Sequence, residues 1–159
     1  MKKLLFILLL LMFTPLVSFG QQDIERFKIY DTTNSYISLM LDTMTGESWM
    51  VQIGLIDSDA VRIVINDYQY SYSEETAKQK YEDALKTWED DPDEEEDKNW
   101  YKPTWEFYKN KMGVVGQYEL YPTNNMYNFI MVDVINGETW QVQWNFDKEK
   151  RFAQRIYSN

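Results

Sequence analysis

One pattern occurs twice in this chain, at a constant offset of 91 residues. Asp42, Gly46, Glu47, Trp49, Val51 and Gln52 return as Asp133, Gly137, Glu138, Trp140, Val142 and Gln143. Tyr30, Thr32, Asn34, Tyr36 and Met40 return as Tyr121, Thr123, Asn125, Tyr127 and Met131, and Ile65 returns as Ile156. The ungapped match sets residues 27–66 against 118–157. A unit this short cannot bury its own apolar surface, so two copies are expected to share a core.

Within each copy the periodicity is that of strands. Trp49, Val51, Ile53 and Leu55 alternate with Met50, Gln52 and Gly54, and Trp140, Val142, Trp144 and Phe146 alternate with Gln141, Gln143 and Asn145. A period of two marks a half-buried strand. Ile37, Leu39 and Leu41 alternate in the same way ahead of the first hairpin. The connections Asp42–Gly46 and Asp133–Gly137 carry hairpin chemistry, with Gly supplying a positive φ and the Asp carboxylate bonding N–H groups inside the turn. Asp42, Gly46 and Trp49, with Asp133, Gly137 and Trp140, are therefore expected to hold hairpins and fill the core. Strands over 26–31 and 60–66, and over 117–121 and 151–156, complete a four-stranded meander per copy, with the copies expected to be related by a pseudo-twofold.

Between the copies the period changes. Ser73, followed by Glu74 and Glu75, reads as a helix start. Ala77, Tyr81, Ala84, Leu85 and Trp88 then recur at helical spacing. Pro92 and the acidic run Asp90, Asp91, Asp93, Glu94, Glu95, Glu96 and Asp97 open a loop. A second helix is predicted from about Pro103 to Met112, with Gly113 as its stop. The expected fold class is α+β: two pseudo-symmetric four-stranded antiparallel β-meanders (27–66 and 117–157) with a helical hairpin inserted at 73–112. Sandwich, barrel and continuous sheet remain open at this point.

The first twenty residues read as an address. Lys2 and Lys3 precede an apolar run from Leu4 to Phe13, and Ser18 and Gly20 occupy small-residue cleavage positions. The expectation is a signal peptide cleaved near Gly20, leaving a single domain of residues 21–159 in the periplasm or outside the cell. Removing the two lysines takes the formal charge from −10 to −12. That balance argues against nucleic acid and against an anionic membrane surface as partners, while a basic protein or a neutral saccharide meets no such barrier. There is no cysteine, so stability is expected to rest on packing rather than disulfides.

No cofactor or metal is expected. Without His or Cys, the Ser-His-Asp and Cys-His arrangements and the usual zinc sites are missing. The acidic run lacks the residue order that wraps calcium. What remains for catalysis is a carboxylate pair as in glycoside hydrolysis, with Glu47 and Glu138 as the symmetric candidates. The D-x-x-x-G-x-x-W-x-x-Q hairpin resembles a repeat of uncharacterised small exported bacterial proteins, whose signal sequences also end just before a glutamine. That resemblance implies export and a β-meander and brings no catalytic residues with it.

The sequence thus points to a non-catalytic exported binding module, most readily one that takes a basic protein partner in the manner of an inhibitor or immunity protein. The acidic run would steer that partner. A glycan-binding module is the alternative, with Trp100, Tyr101 and Trp105 as a stacking platform. Gln52 and Gln143, facing away from the Trp side, are the repeat's own ligand-binding candidates.

Overall fold

A computed structural model describes residues 24–54, 60–90 and 102–157. The segment read as a signal peptide, most of the acidic run (Asp91, Asp93, Glu94, Glu95, Glu96 and Asp97), and Trp100 and Tyr101 lie outside the described residues.

The chain forms two four-stranded antiparallel meanders. Strands β1 (Phe27–Asp31), β2 (Ile37–Asp42), β3 (Ser48–Gln52) and β4 (Val61–Asn66) make the first sheet, in sequential order. Strands β5 (Tyr118–Pro122), β6 (Asn128–Asp133), β7 (Thr139–Gln143) and β8 (Phe152–Ile156) make the second. Between them stand α1 (Glu74–Glu89) and the short α2 (Trp105–Lys109). The register repeats with the sequence: Met40 faces Trp49 across β2 and β3, as Met131 faces Trp140 across β6 and β7.

The hairpins close as their residues predict. Gly46 (φ 80°) and Gly137 (φ 74°) take the left-handed conformation that glycine tolerates. Asp42 Oδ1 accepts from the N–H groups of Met44 (2.9 Å) and Thr45 (3.3 Å), and Asp133 Oδ1 accepts from Ile135 and Asn136, both at 2.9 Å. The other repeated polar residues also serve turns. Asn34 Oδ1 accepts from Tyr36 N–H at 2.9 Å, and Asn125 Oδ1 from Tyr127 N–H at 3.0 Å.

One apolar core lies between the sheets. From the first sheet it takes Tyr30, Ile37, Leu39, Leu41, Met50, Ile63 and Ile65; from the second, Tyr118, Leu120, Phe129, Met131, Trp140, Val142, Trp144 and Ala153. These are not equivalent positions. Leu39 corresponds to Ile130 and Met50 to Gln141, whereas Met131 corresponds to Met40 and Trp140 to Trp49. Because side chains alternate along a strand, the two copies bury opposite faces. A twofold would bury the same face of each, so the expected pseudo-twofold is not the relation between the sheets. They stack front to back. Trp140 is 3% exposed in the core, while its copy Trp49 lies on the outer face, only partly covered. The expectation that both tryptophans fill the core is corrected on this point.

The helical insert starts at its predicted cap. Ser73 Oγ accepts from Thr76 N–H at 3.1 Å, with Glu74 and Glu75 in the first turn. The second helix is shorter than predicted. Thr104 caps it in an extended conformation and Asn110 ends it, because Lys111 and Gly113 pair with Tyr72 instead of continuing the turn. Tyr72 N–H donates to Lys111 O at 2.8 Å, and Gly113 N–H to Tyr72 O at 3.0 Å. This strap joins the two ends of the insert. The helices make their principal contacts with each other rather than with either sheet.

Candidate functional surfaces

Three regions collect the residues that could act: the acidic helical hairpin, the seam between the hairpin turns, and the outer faces of the sheets.

The helical hairpin has its own aromatic interior. Tyr81 of α1 lies 5.9 Å, centroid to centroid, from both Trp105 and Tyr108 of α2. Trp105 is therefore partly buried as a packing residue. The other face of α1 is wet: Glu74, Glu75, Glu82, Asp83, Glu89 and the cap residue Asp90 are all exposed. Over residues 73–112 the sequence holds thirteen acidic residues against seven lysines, half of the net charge of the chain from Gln21 onward. Lysine stems cover part of the insert's aromatic surface, with Lys111 Nζ 4.3 Å from the Phe107 ring centroid and Lys102 Nζ 5.0 Å from that of Trp88.

The seam is aromatic inside and polar outside. The Tyr70 ring packs 4.5 Å from Trp140 and 6.1 Å from Tyr118, and Tyr118 Oη shares a buried 2.8 Å hydrogen bond with Ser71 Oγ. Burial pushes the phenols of Tyr70 and Tyr118 up to about 12, because ionising them would place charge in a desolvated layer. Beside them, burial disfavours the Asp133 carboxylate, but donors from Gln117, Asn136 and Ile135 outweigh it and hold its pKa below the usual value. Tyr68, Tyr70, Trp140, Glu138, Arg155 and Asn66 line a shallow cleft of about 440 Å³ at this seam.

The carboxylates proposed for acid–base work are engaged. Glu47 Oε2 accepts from Thr45 Oγ1 at 2.9 Å and from Gln69 Nε2 at 3.0 Å, and Glu138 is ion-paired with Arg155. The repeat glutamines are not brought together. Gln52 is cross-strand from Ile37 on the inward face of the first sheet. Gln143 sits on the outward face of the second, donating to Lys150 O at 2.9 Å. Front-to-back stacking separates them. Among the described residues no group of three or more His, Cys, Asp or Glu is placed to hold a metal ion. No described helix is long and apolar enough to cross a membrane.

The outer faces differ in character, which sequence reasoning missed. On the first sheet the row Ile29, Met40, Trp49 and Val64 points outward, next to Phe27 and Val51. Phe27, Ile29 and Val64 are 51%, 55% and 47% exposed. On the second sheet the outward row is Tyr121, Ile130, Gln141 and Gln154. The signal lay in the differences between copies. Met50 and Ile63 become Gln141 and Gln154, whereas Ser38 and Arg62 become Phe129 and Ala153. The central outward row is apolar throughout in the first copy and half polar, at Gln141 and Gln154, in the second.

No protein-family model matches this chain, and neither the curated proteins nor the solved structures contain a match to it.

Proposed function

We propose that the protein is an exported, non-catalytic binding module that presents its acidic helical hairpin to a basic protein partner. The observation that carries this reading is the division of labour between insert and sheets. Among the described residues the two meanders assemble their core without a helix residue, while α1 and α2 pack on one another. An element that the core does not use, bearing half of the chain's negative charge, fits a surface kept for a partner. Its field would speed encounter with a cationic protein more than it would tighten the final complex. The signal-like leader supports an encounter in the periplasm or outside the cell.

The glycan reading has less support. Trp105 is committed to Tyr81, so it does not offer a free ring for a sugar. Hydrolysis by a carboxylate pair is likewise less supported, since Glu47 and Glu138 already hold hydrogen-bond partners.

The test is capture on immobilised protein from periplasm and culture fluid of the native source, alongside a variant with Glu82→Gln, Asp83→Asn, Glu89→Gln and Asp90→Asn. One stoichiometric basic protein, lost to the variant and released as salt shortens the Debye length from about 10 Å towards 3 Å, is the expected result. Retention on a polysaccharide column with no protein captured would overturn the reading in favour of glycan binding.

A further inference from the structure

The outer face of the first sheet carries an unbroken apolar central row that the second sheet lacks. Its central row Ile29–Met40–Trp49–Val64 is the copy of Leu120–Met131–Trp140–Arg155, a row whose first three members the second sheet buries and whose last, Arg155, stands at the exposed edge. In the second sheet, Leu120, Met131 and Trp140 are almost wholly buried under the facing meander. In the first, the same pattern faces water. Repeat arrays normally end on a polar outer face. The second meander comes nearer to one: Ile130, Val132 and Phe152 also point outward, but its central row ends in Gln141 and Gln154, beside Gln143 and Glu119, whereas the central row of the first is apolar throughout.

From this asymmetry we propose that two copies of the chain pair through the outer faces of their first sheets. A second copy offers two surfaces. Its second sheet would continue the front-to-back stack, but that face would bury Gln141 and Gln154 where the internal interface has Met50 and Ile63. Buried amides without partners are costly. Its first sheet offers apolar surface against apolar surface, and the interface closes on itself as a twofold dimer.

Charge selects one orientation of that dimer. Asp31, Ser38, Val51 and Arg62 form one cross-strand row on the outer face, with Asp31 at the β1 edge and Arg62 at the β4 edge. Arg62 lies over the Trp49 ring at 5.3 Å. Among the described residues neither Arg62 nor Asp31 has an ion-pair partner. A twofold running parallel to the strands sets β1 of one copy over β4 of the other at the same height. Asp31 then meets Arg62 of the second copy twice, once at each edge. The same operation lays Ile29 over Val64 and Met40 over Trp49, a sulfur–aromatic pairing. The sheets lie aligned, as packed sheets commonly do. A face four strands wide and about five residues tall spans roughly 20 by 17 Å. Such an area is at the small end of specific interfaces, below about 1,200 Å² in total, so the dimer dissociates on dilution.

The experiment is sedimentation equilibrium of residues 21–159 from about 1 µM to 1 mM. The wild type should pass from monomer to dimer and stop there. Val64→Glu, at an exposed position that leaves the fold intact by melting, should weaken the dimer about tenfold or more. Asp31→Arg and Arg62→Asp should each weaken it, and the double variant should restore it. A monomer throughout the range overturns the proposal. So does mass that rises without a plateau, which is the front-to-back stack, and so does a dimer indifferent to all four variants. The partner reading of the helical insert stands or falls separately, because its surface is not involved.

Discussion

Truncating equivalent tryptophans should have unequal consequences, and truncating the residues beside them should reverse the order. Trp140 is 3% exposed, with its ring 4.5 Å from Tyr70 and 5.9 Å from Tyr118. Trp140→Ala removes a core indole and should cost about 3–5 kcal/mol. For a domain of this size each kcal/mol is worth roughly 3–5 °C, so melting should fall by about 10 °C or more. Trp49→Ala loses a partly covered ring and its cation, together about 1 kcal/mol, and should lower melting by less than about 5 °C. One residue further on, the sensitivity changes copy. Met50 has no exposure, and Met50→Ala should cost about 2–5 kcal/mol. Gln141, its copy, makes one 3.2 Å bond to Asn128, and Gln141→Ala should cost about 1 kcal/mol or less. The assay is urea or thermal unfolding followed by near-ultraviolet circular dichroism, at low micromolar protein so that self-association does not contribute. Equal losses for Trp49 and Trp140, or for Met50 and Gln141, would refute opposite-face burial and restore a twofold.

Three further outcomes are expected. Both hairpin glycines have positive φ, but a Cβ on Gly46 would lie 2.6 Å from Tyr70 Cδ2, whereas one on Gly137 meets nothing within 4 Å. Gly137→Ala should cost about 1–2 kcal/mol from conformation alone and Gly46→Ala about 1–3 kcal/mol more, read as a difference in urea midpoints; equal midpoints would show that Tyr70 yields freely. Tyr118→Phe, which strands the buried Ser71 hydroxyl, should cost about 1–3 kcal/mol, and alkaline difference spectra of the wild type should show two tyrosines ionising near pH 12, one of them lost in the variant. Asp133 has a lowered pKa in the fold, so its contribution is present above the unfolded value near 3.9 and is lost as pH falls through the folded one. Asp133→Asn should therefore be less stable than wild type at pH 7 and lose less on acidification, and parallel melting curves from pH 7 to 2 would refute that role.

Local chemistry was legible in the chain itself. The Asp–Gly hairpins, the Asn34 and Asn125 turns, the Ser73 cap and the stripe from Ala77 to Trp88 all depend on residues within a few positions of one another. Their hydrogen bonds and dihedral preferences do not wait for the rest of the fold. Local spacing predicts too long a second helix because Lys111 and Gly113 are claimed by Tyr72, some forty positions away. The repeat glutamines are equivalent in sequence, which suggests a pair. In space, the stacking sets Gln52 inside and Gln143 outside.

Repetition at 91 residues was enough to determine two meanders, their register and their turns, since each copy carries everything a hairpin sheet needs. Which face each copy buries was a different matter. Alternation shows that a strand has two faces, and in the first copy both are apolar: Leu39 and Met50 on one side, Ile29, Met40, Trp49 and Val64 on the other. Only the packing of one sheet on the other chooses between them, and it chooses oppositely in the two copies. That choice fills the core with Trp140, leaves Trp49 partly exposed, and decides which apolar row of the first sheet stays on the outer face.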